Sequence, residues 1–297
     1  MHRRRFRTLW TAVSLALAVL AARGARADVV VYTSGGFESP AFVIGGLVGQ
    51  SQWATDPPSA AGNATVQTAS VRDGAQAARF NASGLSLTSF WFPVVNHAVS
   101  GNNTLIRVEA DIRITTGATP SEAWGIDVFD SALRRVAYAF YSGATGTIWV
   151  FDPVQHVSFD TGQAVQRDTW RRWTFEIDYA ARQSIFLLNG IAAAAPVAFS
   201  TTNPPGNTLG DADIRVTNPG TDALELDNYS ITAVSVEAEC PGDTNGDRAV
   251  NGADLSVLLF RFGGPADGPQ GADFNGDGLC NGADLSVLLF LFGTTCD

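Results

Sequence analysis

The chain has 297 residues, with 19 basic residues, all of them arginine, against 29 acidic ones and a net charge of −10. This acidic balance disfavours nucleic acid and anionic membranes as partners, because both repel negative charge. Composition shifts along the chain predict three parts, namely residues 1–27, 28–238 and 239–297.

Residues 1–27 are predicted to be a secretory signal peptide. Four arginines precede an apolar run from Leu9 to Ala22, and Ala25-Arg26-Ala27 offers a small-residue cleavage site before Asp28. The run is short for a bilayer span, and no later stretch reaches that length. We therefore expect a secreted protein, extracellular or on the cell surface, with no membrane span. The alternative is a retained N-terminal anchor.

Residues 28–238 are predicted to be mainly β, as an antiparallel jelly-roll sandwich. Apolar and polar residues alternate in 104–115, 134–141, 147–152 and 170–179, and Gly, Asn, Pro and Asp separate these runs. The stretch WRRWTFEIDYAARQSIFLLNG resembles a hairpin of concanavalin-like and laminin-G-like sandwiches. That resemblance implies two packed sheets.

Three pairs of acidic residues lie two positions apart in this part of the chain: Glu109 and Asp111, Glu176 and Asp178, and Glu225 and Asp227. Retaining glycosidases use two carboxylates about 5–5.5 Å apart, and alternate positions on a strand share one face. Concanavalin-like glucanases add a third acid, as Glu-x-Asp-x-x-Glu, which none of these pairs has. We interpret the pairs as the solvated face of a sheet and predict no catalytic residue.

One of these acids, Asp227, and a further acid near the start of the domain, Glu38, are candidates for a structural metal site. Glu38, in Gly36-Phe37-Glu38, and Asp227, in the last predicted strand, resemble the acids of carbohydrate-binding jelly rolls. In those proteins the two acids bind a calcium ion where the first and last strands meet. The resemblance implies the same role for Glu38 and Asp227, and the alternative is two solvated acids at strand ends.

Tryptophans are the candidates for binding carbohydrate, because sugar rings stack on aromatic faces. Trp53 and Trp91 stand among polar or proline-rich neighbours and are predicted to be exposed glycan-stacking residues. Trp149 and Trp173 lie within apolar alternation and are predicted to be core. Jelly rolls also bury tryptophan between their sheets, which is the alternative for Trp53 and Trp91.

The tail contains a tandem repeat. Residues 243–263 and 273–293 are identical at 16 of 21 positions, and NGADLSVLLF recurs 30 residues apart. Each copy opens with carboxylates and amides at alternate positions, as in a twelve-residue calcium loop followed by a helix. The predicted calcium ligands are Asp243, Asn245, Asp247, Ala249 (carbonyl), Asn251 and Asp254 in the first loop, and Asp273, Asn275, Asp277, Leu279 (carbonyl), Asn281 and Asp284 in the second. The alternative is a polar turn that caps a helix.

No helix is predicted before either loop, since EAECPG and GGPADGPQGA are rich in helix breakers. Two loop-helix copies resemble a type I dockerin, a bacterial module that docks cohesin domains. The resemblance implies two calcium ions, a cohesin-like partner and an association with polysaccharide breakdown. The partner-binding positions that it implies are Gly252, Ala253, Leu259, Phe260, Gly282, Ala283, Leu289 and Phe290. The family has a Ser/Thr pair where this chain has Gly-Ala, and Arg248 replaces the glycine of position 6.

All three cysteines lie in the tail, and disulfides persist outside the cytoplasm. Cys240 and Cys296 bracket the repeat and are predicted to form a disulfide, whereas Cys280, at loop position 8, is predicted to be a buried free thiol. The connectivity stays open on the sequence alone.

Three functions agree with these patterns. The first is a secreted, non-catalytic protein whose sandwich binds carbohydrate or a surface polymer and whose tail attaches it to a protein partner. The second is a structural or adhesive cell-surface protein. The third is a concanavalin-like glycoside hydrolase or polysaccharide lyase.

Overall fold

The computed structural model describes residues 25–100, 103–236, 242–245, 247, 249–264, 272–274 and 278–295. The chain divides into two compact units, residues 1–236 and 237–297. Most of the predicted signal peptide falls on residues 1–24, outside the described residues, and the first strand includes its last three positions. The described helices are all too short to cross a membrane.

The first unit is an antiparallel jelly-roll β-sandwich, as predicted. In chain order its strands are β1 Ala25–Thr33, β2 Gly45–Gly46, β3 Trp53–Asp56, β4 Ala64–Gln67, β5 Ala77–Asn81, β6 Ser89–Pro93, β7 His97–Ala98, β8 Leu105–Ile114, β9 Ala123–Asp130, β10 Arg135–Ser142, β11 Thr147–Asp152, β12 Val157–Ala164, β13 Arg171–Asp178, β14 Gln183–Leu188, β15 Ile191–Ala192, β16 Val197–Ala198, β17 Thr208–Thr217 and β18 Ala223–Val236. Short 3-10 helices span Gly35–Phe37 and Pro58–Asn63.

These strands form two sheets. The ten-stranded sheet has the order β15-β14-β13-β8-β18-β5-β4-β2, with β1 paired to β18 and β16 to β14. The eight-stranded sheet has the order β12-β11-β10-β9-β17-β6-β3, with β7 paired to β17. Alternate side chains of both sheets meet in one apolar core, so each sheet has an inner face and an outer face.

The second unit contains two helices, α1 (Gly252–Arg261) and α2 (Gly282–Leu291). Their sequences differ only at the last residue, and each begins at position 10 of a predicted calcium loop. A small core of its own contains Val250, Leu258, Ala272, Cys280 and Leu288. A core of this size leaves much of each apolar helix exposed.

Candidate functional site

The first predicted calcium loop brings three carboxylates together. One oxygen from each of Asp243, Asp247 and Asp254 lies within 4.8 Å of the others. Oxygens on opposite sides of a calcium ion are separated by about 4.6–5.2 Å, twice the usual bond length. The Asn245 amide donates to Asp247 (2.9 Å) and holds the pKa of that carboxyl below its usual value. An all-oxygen set at this spacing fits one hard divalent cation.

The helix that follows positions the last of these ligands. Asp254 is fully buried, and one of its carboxylate oxygens accepts hydrogen bonds from the Thr244 and Asn245 N–H groups at 2.8 and 3.1 Å. Its other oxygen accepts from the Asn251 N–H (2.8 Å), while the Asn251 side chain accepts from Ala253 N–H (2.7 Å) and caps α1. The cap therefore fixes the carboxylate against the start of the loop.

The second loop repeats this framework. Asp284 is fully buried and accepts hydrogen bonds from Phe274 N–H (2.7 Å) and Asn281 N–H (2.8 Å). Asp273 accepts from Gly278 N–H (2.7 Å), and Gly278 has a φ of +86°, as expected for a glycine at position 6. The predicted ligands Asn275 and Asp277, and Arg248 of the first loop, lie outside the described residues.

The two copies interlock through backbone hydrogen bonds. Val250, at position 8 of the first loop, donates to Thr294 O (2.9 Å) and accepts from Gly293 N–H (2.7 Å), both just after α2. Cys280, at position 8 of the second loop, is bonded in the same way to Gly263 and Gly264, just after α1. The Cys280 thiol is free and buried, as predicted. The predicted Cys240–Cys296 disulfide involves residues outside the described part of the chain.

The positions implied by the dockerin resemblance as partner-binding are all on the surface. Phe260 is 92% exposed and Phe290 is 88% exposed. Leu259 and Leu289 are each 54% exposed, and Gly252, Ala253, Gly282 and Ala283 are exposed as well. Phe262 and Phe292, which the sequence reasoning did not single out, extend the surface. We call the helix patch the set Leu259, Phe260, Phe262, Leu289, Phe290 and Phe292.

Glu38 and Asp227 contact the same loop, residues 70–76, from two sides. Glu38 Oε1 accepts hydrogen bonds from the N–H groups of Ala75 (2.6 Å) and Gln76 (2.9 Å). Asp227 Oδ2 accepts from the N–H groups of residues 72 (3.0 Å) and 73 (3.1 Å). Both acids therefore fasten this loop, and their predicted role as calcium ligands stays a prediction.

The prediction that Trp53 and Trp91 are exposed stacking residues is wrong. Trp53 is 2% exposed and Trp91 is fully buried, because β3 and β6 point both rings between the sheets. Their indole N–H groups donate to Tyr32 Oη (2.8 Å) and to the Ala60 carbonyl (3.1 Å). Polar and proline-rich neighbours occupy the outward and turn positions, which concealed the inward direction of the rings.

Trp173 is buried as predicted, but Trp149 is not in the core. It lies on the outer face of the eight-stranded sheet and is partly exposed, with its ring stacked on Phe140 at 6.1 Å between centroids. Further partly exposed rings share that surface. We call the aromatic face the set Phe90, Phe92, Phe129, Phe140, Trp149 and Phe151.

The acidic pairs named from the sequence lie on the outer face of the ten-stranded sheet. Glu225 forms ion pairs with Arg79 (2.6 Å) and Arg113. Arg172 binds Asp111 at 2.7 Å. Glu176 pairs with Arg107 at 2.8 Å, and Asp178 accepts a hydrogen bond from Ala181 N–H (2.8 Å). The interpretation as a solvated sheet face is wrong for four of these acids, which are buried and held by arginine or by backbone N–H groups: Asp111, Asp178, Glu225 and Asp227. That none of them is catalytic stays a prediction.

A fourth acidic pair, Asp211 and Asp213, escaped the sequence reasoning although its spacing is the same. Both side chains belong to β17 and point to the outer face of the eight-stranded sheet, beside the aromatic face. Burial raises the pKa of Asp211 to about 6 and that of Asp213 well above its usual value. The period-two pattern Asp211-Ala212-Asp213 was the available signal.

No family model and no curated protein matches the chain. Solved structures with a similar fold include a sialidase (10% identity, TM-score 0.44), with 70% of this chain covering 19% of that one. Cellulose induced protein Cip1 matches 66% of this chain and all of its own length (11%, TM-score 0.47). Carbohydrate binding module CBM66 from Bacillus subtilis matches 61% of this chain and 95% of its own (12%, TM-score 0.40). Similarities this distant assign no activity.

Proposed function

We propose that this is a secreted, two-part attachment protein. Its second unit binds a calcium ion in each loop. Calcium orders this unit, which then docks a cohesin-like protein partner. Its sandwich binds carbohydrate or another surface polymer. The proposal rests on the three carboxylates that converge in the first loop. The same helix cap follows the second loop, and the exposed helix patch belongs to the same unit.

Calcium is needed because of the charge in this unit. Residues 240–297 contain eight aspartates and two arginines, and three of the carboxylates converge within 4.8 Å. Without a cation these charges repel one another, and the small core contributes little to offset the repulsion. The free energy of metal binding then becomes part of the free energy of folding.

The helix patch supports the docking role. Phe260 and Phe290 are almost fully exposed at equivalent positions of two copies, although exposed phenylalanine is costly in water. Exposed apolar surface repeated in this way is typical of a protein-binding site. Aromatic anchors also contribute a large share of the affinity at protein interfaces.

Isothermal titration of the full chain with calcium tests the metal sites. We expect two ions per chain, with loss of one site in Asp243→Asn and of the other in Asp273→Asn. Glu122→Gln, an exposed acid of the sandwich, is the control and should leave binding unchanged. A chelator should also reduce the far-ultraviolet circular dichroism of the helices. Absence of calcium uptake by the wild-type chain would contradict the proposal.

Binding to a panel of cohesin domains tests the docking role. We expect calcium-dependent capture that falls at least about tenfold in the double variant Phe260→Ala, Phe290→Ala, since an aromatic hot spot contributes about 2 kcal/mol or more. Leu133→Ala truncates an apolar residue of the sandwich that is 77% exposed and serves as the control. Capture that persists in chelator would show a contact other than the one proposed.

For the sandwich, the aromatic face supports carbohydrate binding, because partly exposed rings offer flat apolar surfaces to sugar C–H groups. A glycan array probed with the full chain in calcium tests this half separately. Binding to at least one immobilised glycan is expected, whereas an array without signal would leave only the attachment role.

A further inference from the structure

Two carboxyl groups on one strand of the sandwich are only partly satisfied by the protein. Asp211 and Asp213 are two residues apart on β17, so both project from the outer face of the eight-stranded sheet. Asp213 is 5% exposed. Its Oδ1 atom and that of Asp211 are buried and accept no hydrogen bond from any donor among the described residues. More than about 90% of buried polar groups in proteins have such a partner, so this pair requires an explanation.

The carboxyl groups of Asp211 and Asp213 lie within hydrogen-bonding reach of each other. A carboxylate has acceptor oxygens only, so neither group satisfies the other unless a proton or a cation lies between them. Oxygen ligands bind calcium at about 2.3–2.6 Å, which places neighbouring ligands about 3 Å apart. Hydrogen-bonding reach is therefore also the separation at which two carboxyl groups share one cation.

Two arginines lie near this pair but are bound to another acid. Asp127 accepts two hydrogen bonds from Arg135 (2.6 and 2.7 Å) and one from Arg215 (3.1 Å). The guanidinium carbons of the two arginines also lie 5.1 and 4.6 Å from the centroid of the Tyr138 ring. Within the described part of the chain, Arg215 Nε is buried without a partner, so it makes no bond to the neighbouring Asp213. The guanidinium groups thus serve Asp127 and not the pair on β17.

The outer face of this sheet carries more acidic than basic groups. Asp213 lies opposite Asp127 in the register of β17 and β9. Burial, and then repulsion from Asp211, Asp127 and Asp56, raise the pKa of Asp213. Asp160 lies on the same face at the edge strand β12. The charged side chains that the strands of this sheet direct outward are five aspartates and two arginines, namely Asp56, Asp127, Asp160, Asp211, Asp213, Arg135 and Arg215. This excess favours a cation as the ligand of the face.

The accessible end of the pair is the end away from Arg215. Phe90 of β6 is paired with Arg215. Phe129 of β9 is paired with Asp211, and its ring meets that of Phe90 edge to face at 6.4 Å between centroids. The two rings therefore cross over Asp213, whereas Asp211 is partly exposed. Asp211 and Arg215 are four residues apart on the strand, or about 13 Å. A cation that enters at Asp211 thus contacts both carboxyl groups, stays distant from Arg215 and keeps water in its shell.

We propose that Asp211 and Asp213 bind one calcium ion on the outer face of the sandwich. Carboxylate ligands favour a hard cation over zinc or copper. Calcium accepts an irregular shell that includes water, whereas magnesium requires a nearly ideal octahedron. Two carboxylates make a weaker site than the ligand set of each loop in the second unit, with a Kd of about 10⁻⁴–10⁻³ M. The ion therefore binds after the two that the proposed function assigns to the second unit, and independently of them.

Calcium-dependent unfolding of the sandwich tests this site. The full chain is unfolded in urea with and without calcium, and tryptophan fluorescence reports on the sandwich because residues 237–297 contain no tryptophan. For a Kd of about 1 mM, calcium at about 10 mM should lower the unfolding equilibrium constant about tenfold, since it binds the folded state. Magnesium at the same concentration controls for salt and should have a smaller effect.

Asp211→Asn should abolish this effect of calcium. The new amide can donate a hydrogen bond to Asp213, so the variant is expected to fold. Asp160→Asn is the matched control, because it makes the same change of charge at an exposed residue of the same face. It should respond to calcium as the wild type does.

Three results would overturn the assignment. An effect of calcium that persists in Asp211→Asn would place the ion elsewhere in the sandwich. A wild-type sandwich whose stability changes with pH but not with calcium would show that Asp211 and Asp213 share only a proton. An equal effect of magnesium would overturn the choice of calcium. Each of these results leaves the proposed function standing, because the calcium ions of the second unit are tested separately by titration of the loop variants.

Discussion

The outer faces of the two sheets differ in how their buried acidic side chains are paired. Both bury acidic side chains, but on the ten-stranded sheet Glu225 and Asp111 are each paired with arginine. On the eight-stranded sheet Asp127 is paired, while Asp213 is 5% exposed and its Oδ1 lacks a partner among the described residues. The aromatic face lies on this second surface only. Incomplete pairing beside partly exposed rings therefore distinguishes the outer face of the eight-stranded sheet from that of the other sheet.

The largest effect is expected where a buried pair is broken. Arg135→Ala removes two of the three hydrogen bonds to the fully buried Asp127 carboxylate. We expect the free energy of unfolding of the sandwich to fall by about 3 kcal/mol, as for other buried charges that lose a partner. Urea unfolding followed by tryptophan fluorescence measures this, because residues 237–297 contain no tryptophan. A loss below about 1 kcal/mol would show that Arg215 alone suffices.

An intermediate effect, with a characteristic pH dependence, is expected at Asp213 of β17. Burial raises the pKa of Asp213, and Asp211, Asp127 and Asp56 raise it further by repulsion. A raised folded-state pKa stabilises the protein below the unfolded value, about 3.9, and that contribution is lost as the pH rises. Asp213→Asn should therefore gain stability relative to wild type between about pH 4 and pH 7, by about 1–2 kcal/mol. Urea unfolding across that range measures it, and a pH-independent difference would contradict this explanation.

The smallest effect is expected on the paired, more exposed surface. Arg107→Ala removes an arginine that is 32% exposed from its pair with Glu176, which is 14% exposed. The free energy of unfolding should fall by only about 0.5 kcal/mol, and less in high salt. The same urea experiment serves, with Arg135→Ala alongside. Equal losses in the two variants would remove the contrast between the faces.

The alternation of the sequence was sufficient to predict the sandwich and several strands. The patterned run at 104–115 contains β8, and the run at 170–179 contains β13. Alternation succeeds here because one side of each strand packs in the apolar core and the other carries polar side chains. The repeat likewise predicted both helices, because the capping residues that start each helix recur with the same local spacing, whereas calcium binding stays a prediction.

What escaped prediction depends on contacts between distant strands. The neighbours of Trp53 are polar, but its ring packs at 5.8 Å from both Phe37 and Phe80, which local sequence does not reveal. Trp149 lies in apolar alternation yet faces outward, because its sheet carries aromatic residues on both faces. The three acidic pairs named from the sequence have the same spacing as Asp211 and Asp213. Only the register between neighbouring strands shows that arginines lie beside those three pairs.

The crossed hydrogen bonds of the second unit have a consequence for its assembly. Val250 is bonded to residues that follow α2, and Cys280 to residues that follow α1. Neither half-module is therefore complete by itself, and a chain truncated after Gly264 would lose the strand partner of its remaining loop. On the proposed function, calcium in one loop should therefore favour calcium binding in the other, and the two sites should fill cooperatively.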